Sequence, residues 1–112
     1  MINFHNKRFK TIVNTLESDS SPDTIFHYTQ EGELVSVRYK GGSILLGTLI
    51  GFVTGRGELD MWYQHIITGN EIRIGKCRVT PKLLPGGRLK LLEEWVSLDC
   101  KHSMGIVIKE EI

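Results

Sequence analysis

The sequence predicts a single all-β domain spanning residues 1–112, an antiparallel meander that closes into a barrel or a strongly curved sheet of about seven to nine strands. Three observations carry this. The 12 glycines among 112 residues exceed the usual share of about 7%. Most of them sit in turn-forming clusters spaced about ten to twelve residues apart, the rhythm of hairpin-linked strands. Between the clusters lie short runs in which apolar and polar residues alternate, as side chains do on the two faces of a strand.

The elements follow in order. At the N-terminus, Ile2 to Phe4 and Arg8 to Val13 can form a hairpin around His5-Asn6-Lys7. Phe9, Ile12, Val13 and Leu16 also fall at the i, i+3, i+4, i+7 spacing of an amphipathic helix, so both readings stand. Asp19 to Asp23 is a polar loop. Strands are then expected at Ile25 to Thr29, Leu34 to Tyr39, Leu45 to Thr54, Leu59 to Thr68, Ile72 to Thr80, Arg88 to Leu98 and Met104 to Glu110. The intervening clusters around Gly32, Gly41-Gly42, Gly55 and Gly57, Gly69-Asn70 and Gly86-Gly87 are turn chemistry, rich in residues that accept positive φ. Leu89, Leu92, Trp95 and Val96 approximate a helical spacing as well, but the alternation within Arg88 to Leu98 favours a strand. Gly47 and Gly51 interrupt a run of bulky residues, which points to curvature or to close packing by an aromatic neighbour.

The formal net charge of +1, with the two signs interleaved, gives neither nucleic acid nor an anionic membrane an electrostatic claim on the chain. The least charged run, Gly41 to Gly55, is too short and too rich in glycine to span a bilayer as a helix. The N-terminus lacks the basic start and apolar block of a secretory signal. A cytoplasmic location is therefore expected, with Cys77 and Cys100 as free thiols. His5, His27, His65 and His102, together with the cysteines, show no metal-ligand spacing, so neither a metal nor a cofactor is expected. Arg73, Lys76, Arg78, Lys82, Arg88 and Lys90 alternate between faces and read as a solvated sheet surface.

Alternation also nominates a site. Val35, Val37 and Tyr39 share one face, as do Leu59, Met61, Tyr63, His65 and Ile67. On the penultimate strand Leu89, Leu91, Glu93 and Trp95 oppose Lys90, Leu92, Glu94 and Val96. With apolar faces inward, Tyr39, Tyr63, His65, Trp95 and either Glu93 or Glu94 line the interior, since a single bulge would exchange the two glutamates. An apolar wall with a few convergent polar groups suits a small molecule or a peptide. A histidine beside a carboxylate can also move protons, and such groups in small β folds often just satisfy one another. No phosphate-binding glycine loop opens a helix and no Gly-x-Ser-x-Gly elbow is present. A homodimer or assembly role through an exposed strand edge is the third possibility.

Tyr39-Lys40-Gly41-Gly42, Gly47-Thr48-Leu49-Ile50-Gly51, Asp60-Met61-Trp62-Tyr63-Gln64-His65, Gly75-Lys76-Cys77 and Gly87-Arg88-Leu89-Lys90-Leu91 leading to Glu93-Glu94-Trp95 resemble a family of small bacterial proteins labelled N-acetylglutamate synthase. The similarity runs from about Ile25 to Glu110-Glu111. It implies a calycin- or lipocalin-like β-barrel and, through the label, acetyl transfer from acetyl-coenzyme A to the amine of glutamate. The Arg/Gln-x-x-Gly-x-Gly/Ala turn that holds a coenzyme A pyrophosphate in common acetyltransferases is not found before a helix. Gly55-Arg56-Gly57 belongs instead to an expected hairpin.

Overall fold

A computed structural model describes residues 2–15, 18–99 and 103–112; Leu16, Cys100 and His102 lie outside them. Eight strands follow one another: β1 (Lys7–Asn14), β2 (Ile25–Glu31), β3 (Leu34–Gly41), β4 (Ile44–Val53), β5 (Leu59–Ile67), β6 (Glu71–Leu83), β7 (Leu89–Ser97) and β8 (Met104–Glu111). Each pairs antiparallel with the next, and β1 pairs with β8, so the meander closes into a barrel. Closure leaves no strand edge unpaired, which is how a sheet with one apolar face covers itself without a second layer.

The expected turns are all present. Gly32, Gly42, Gly57, Gly69, Gly86 and Gly87 take positive φ, as does Asn70. The amphipathic-helix reading of the first segment gives way to strand β1, because a bulge between Thr11 and Val13 shifts its register against β8. The bulge breaks strict alternation and leaves apolar residues at a helix-like spacing. Ile2 to Phe4 form no strand. They fold under the barrel instead, where Phe4 is buried.

That segment plugs one end. The Phe4 N–H donates to Gln30 Oε1 at 2.9 Å, and the Gln30 N–H donates to His5 Nδ1 at 3.0 Å. Above the plug, Phe9 meets Tyr28 edge-on with ring centroids 5.0 Å apart, and Leu59, Met61, Val79 and Leu91 are buried as part of the core. Burying each such side chain stabilises the fold by about 1.5–3 kcal/mol relative to leaving it exposed. Eight strands enclose an interior just wide enough to be filled by side chains or to hold one small ligand. Here side chains fill the interior above Phe4 and space remains within the opposite end, while a second hollow of about 270 Å³ lies against the plug, bordered by Ile2, Phe4, Val53 and Pro81.

The loops at the unfilled end include, among the described residues, Ser18 to Ser20 of the β1–β2 connection. Asn14 Nδ2 donates to the Ser20 carbonyl, and Ser43 Oγ donates to the Asp19 carbonyl at 3.2 Å, which ties this polar loop across the barrel mouth. The two glycines read as curvature devices differ in surroundings. Gly47 faces the Tyr39 ring, whereas a side chain on Gly51 would meet the backbone of Asp60 and Met61.

Candidate functional site

The unfilled end holds a cavity of about 60 Å³, room for several waters or for the head of a small organic molecule. Tyr39, Tyr63, His65, Glu93 and Trp95 all border it. Glu93 faces inward and is 8% exposed, while Glu94 points to solvent. The pairing of β7 with both neighbours runs without a bulge from Lys90 to Val96, which settles which of the two faces the interior.

Each aromatic wall stands over a glycine directly across the ladder: Tyr39 opposite Gly47, Tyr63 opposite Gly75 and Trp95 opposite Gly105. A Cβ on Gly47 would enter the Tyr39 ring, and one on Gly75 the Tyr63 ring. On Gly105 it would approach Trp95 Cζ2 to 2.6 Å. Only glycine lets these rings lie down across the neighbouring strand instead of standing up into the cavity.

His65 is held at both ring nitrogens. Its Nδ1 hydrogen-bonds the Tyr39 hydroxyl at 2.8 Å, and its Nε2 lies 2.8 Å from Asp19 Oδ2. A carboxylate only accepts, so Nε2 carries a proton, and in the neutral ring the phenol donates to Nδ1. The imidazole also stacks on Tyr63, with centroids 5.5 Å apart. Arg73 Nε stands 3.7 Å from the same Asp19 oxygen. With both nitrogens engaged, the ring works as a rigid part of the wall, and it fastens the β1–β2 loop to β5.

Burial pushes the Tyr39 and Tyr63 hydroxyls well above the ordinary phenol range, reinforced by Glu93 at Tyr39 and by Asp99 at Tyr63. Both stay protonated; the Tyr39 proton is engaged by His65 Nδ1, which leaves the Tyr63 hydroxyl as the phenol able to donate to a ligand. Across the ladder from Trp95 on β6, burial and the nearby Glu93 charge likewise raise the Cys77 thiol. Cys77 is free and buried, in keeping with the free thiol expected there; Cys100 lies outside the described residues.

Glu93 forms the cavity floor with a partner that sequence reasoning missed. Lys109 is fully enclosed, and its ammonium lies 2.5 Å from Glu93 Oε1, 3.4 Å from the Tyr28 hydroxyl and 3.6 Å from the centroid of the Phe26 ring. An enclosed ammonium is tolerable only when a carboxylate and further acceptors surround it, and this one has a carboxylate, a phenol and a ring face. Its strand carries the signal in inverted form, since Met104 and Ile106 face outward while Val107 and Lys109 face inward. Arg73 is the other omission. Read as part of a solvated surface, it is only partly exposed and borders the cavity beside Asp19. Ser97 and Asp99, joined by a 2.6 Å hydrogen bond, complete the rim on the β7 side. Among the described residues no cluster of histidine, cysteine or carboxylate groups could hold a metal ion.

Comparison with known proteins adds one finding. A family model described as avidin-like protein matches residues 2–112. No curated protein and no solved structure matches the chain. The matched family agrees with the barrel that the N-acetylglutamate synthase resemblance implied, and it does not carry that activity label.

Proposed function

The chain belongs to the avidin-like protein family, and from that premise we propose that it is a binding module that takes a small molecule into the open end of its barrel. The observation behind this is the cavity at the open end, bordered by Tyr39, Tyr63, His65, Glu93 and Trp95. Aromatic walls with a few oriented polar groups are the usual make-up of a small-molecule pocket. The volume of about 60 Å³ suits a ligand head better than a peptide. The engagement of both His65 nitrogens favours a fixed recognition surface over proton transfer.

Native mass spectrometry of gently purified protein, followed by calorimetric titration with biotin as the first probe, tests this. A stoichiometric adduct or a saturable heat that is lost in Tyr63→Ala and Trp95→Ala supports it. Binding that is unchanged in both variants moves the ligand out of the cavity, and the idea fails. The acetyl transfer implied by the resemblance draws no support from the family match; adding acetyl-coenzyme A and glutamate to the same sample and looking for N-acetylglutamate tests it directly.

We further propose that the chain pairs with a second copy of itself through the outer wall. The register places Ile50, Trp62, Lys76, Val96 and Met104 in one row across β4 to β8, and Ile50 and Met104 are each 67% exposed. Four of these five are apolar, with Lys76 among them, and exposed apolar side chains gathered on an outer surface mark an association site. A concentration-independent monomer in light scattering, or a dimer that survives Ile50→Lys with Trp62→Lys, would count against it.

A further inference from the structure

The floor of the cavity has a chemistry of its own. Glu93 Oε1 is taken by the Lys109 ammonium at 2.5 Å. Its second oxygen has no protein hydrogen bond among the described residues, and it is not an enclosed orphan either, because Thr11 Oγ1 alone among the described residues is enclosed without a partner. Since Glu93 borders the cavity and keeps a tenth of its side chain exposed, that oxygen opens into the cavity. Lys109, by contrast, is completely enclosed between Glu93, Tyr28 and the Phe26 ring. Its charge balances the carboxylate, while its N–H groups are spent on the protein.

The ligand therefore meets one half of an ion pair, an acceptor oxygen whose negative charge is already compensated from behind. Such a group rewards an incoming N–H or O–H. It repels a carboxylate, and it gives a full cation less than a free carboxylate would, because the cation competes with Lys109. We infer that the ligand's inner end is an uncharged hydrogen-bond donor seated on Glu93, with Lys109 as the positioning residue that holds Glu93 Oε1 and leaves its second oxygen as the acceptor facing the cavity. This rests on the cavity being the binding site.

A matched set of probes reads the inference directly. Dihydroquinolin-2-one, dihydrocoumarin and 3-phenylpropionate share an aromatic body, and they differ in offering a lactam N–H, a lactone oxygen or a carboxylate. Titrations followed by amide shifts of cavity residues in the intact protein should rank the lactam at least tenfold above the other two. In Lys109→Met, Glu93 loses the ammonium that occupies Oε1 and fixes its orientation, so the carboxyl is no longer held with one acceptor oxygen toward the cavity and the lactam-to-lactone ratio should fall to about one. Should that variant not fold, the paired Glu93→Gln, Lys109→Met variant removes both charges together. Its side-chain amide offers donor and acceptor alike, and the same collapse of the ratio is expected. A purely structural role for Lys109 would weaken both probes equally and keep their ratio. Lactone or carboxylate binding as tight as lactam binding in the wild type, or a ratio unchanged in a folded variant, overturns the inference and leaves the cavity as a binding site. Cavity amides that respond to none of the three probes overturn both.

Discussion

Replacing Gly47 by alanine is the sharpest test of how the cavity wall is built. All three nearest atoms to a Cβ placed there belong to the Tyr39 ring. That ring has little freedom to retreat, for it is 4% exposed, stacked on Phe26 with centroids 4.8 Å apart and hydrogen-bonded to His65. Forcing extra volume into such packing costs about 1–3 kcal/mol. Displacing the phenol from His65 adds about 1 kcal/mol, so Gly47→Ala should destabilise by about 2–4 kcal/mol. At about 2.1 cal/mol/K of unfolding entropy per residue, this corresponds to a Tm lower by roughly 8–17 °C. Urea denaturation measures the free energy, with Tyr39→Leu as the companion background. In Tyr39→Leu the ring is gone, and adding the methyl should cost less than about 0.5 kcal/mol. The opposite signs are informative: glycine in a strand is intrinsically unfavourable, so if no collision occurs Gly47→Ala will stabilise the protein. Neutrality or stabilisation in the wild-type background, or an equal penalty in both backgrounds, refutes the account.

Tyr28, Tyr39 and Tyr63 all have raised ionisation points, with burial the leading cause in each. Folded stability should thus hold below about pH 10 and decline as pH rises above it, because the unfolded chain ionises its tyrosines there and the fold does not; gradual tyrosinate absorbance from folded protein near pH 10 would contradict this. Phe4→Ala should cost about 3–5 kcal/mol by unplugging the barrel floor, read by denaturation, and a loss under about 1 kcal/mol would mean that the plug is not part of the core. Cys77 should resist a disulfide reagent until the protein unfolds, since its thiol is both enclosed and held protonated; rapid labelling of Cys77 in native buffer, located by mass spectrometry, would contradict that enclosure.

Most of the barrel was legible because its turns are written in glycine and asparagine and its strands in alternation. Tyr39, Tyr63, His65 and Trp95 could be gathered onto one face for the same reason. The choice between Glu93 and Glu94 needed the register of β7, since a bulge leaves little trace in sequence. Lys109 and Arg73 were missed because an interior cation is recognised only by its partners, and Glu93 and Asp19 lie far from them along the chain. On β6 and β8 the rule is partly reversed: Ile72, Ile74 and Met104 face outward while Arg73 and Lys109 face in. Binary pattern alone then assigns the wrong face. In β1 the bulge at Thr11 and Val13 mixed two periodicities, and the sequence could not arbitrate between them.

The seam between β1 and β8 also governs how the chain can reach its native state. Every other seam is a hairpin that neighbouring residues can form early, whereas this one brings Phe9 opposite Glu111 and lets the Ile112 N–H donate to the Arg8 carbonyl. Contacts of such long sequence separation carry a loop-closure entropy cost and slow the search. During synthesis, Lys109 arrives only after Glu93 and Tyr28 have emerged, so an unclosed meander would hold an acidic residue and an aromatic cluster awaiting their counter-charge. The last strand thus both seals the cylinder against β1 and brings the counter-charge to its interior.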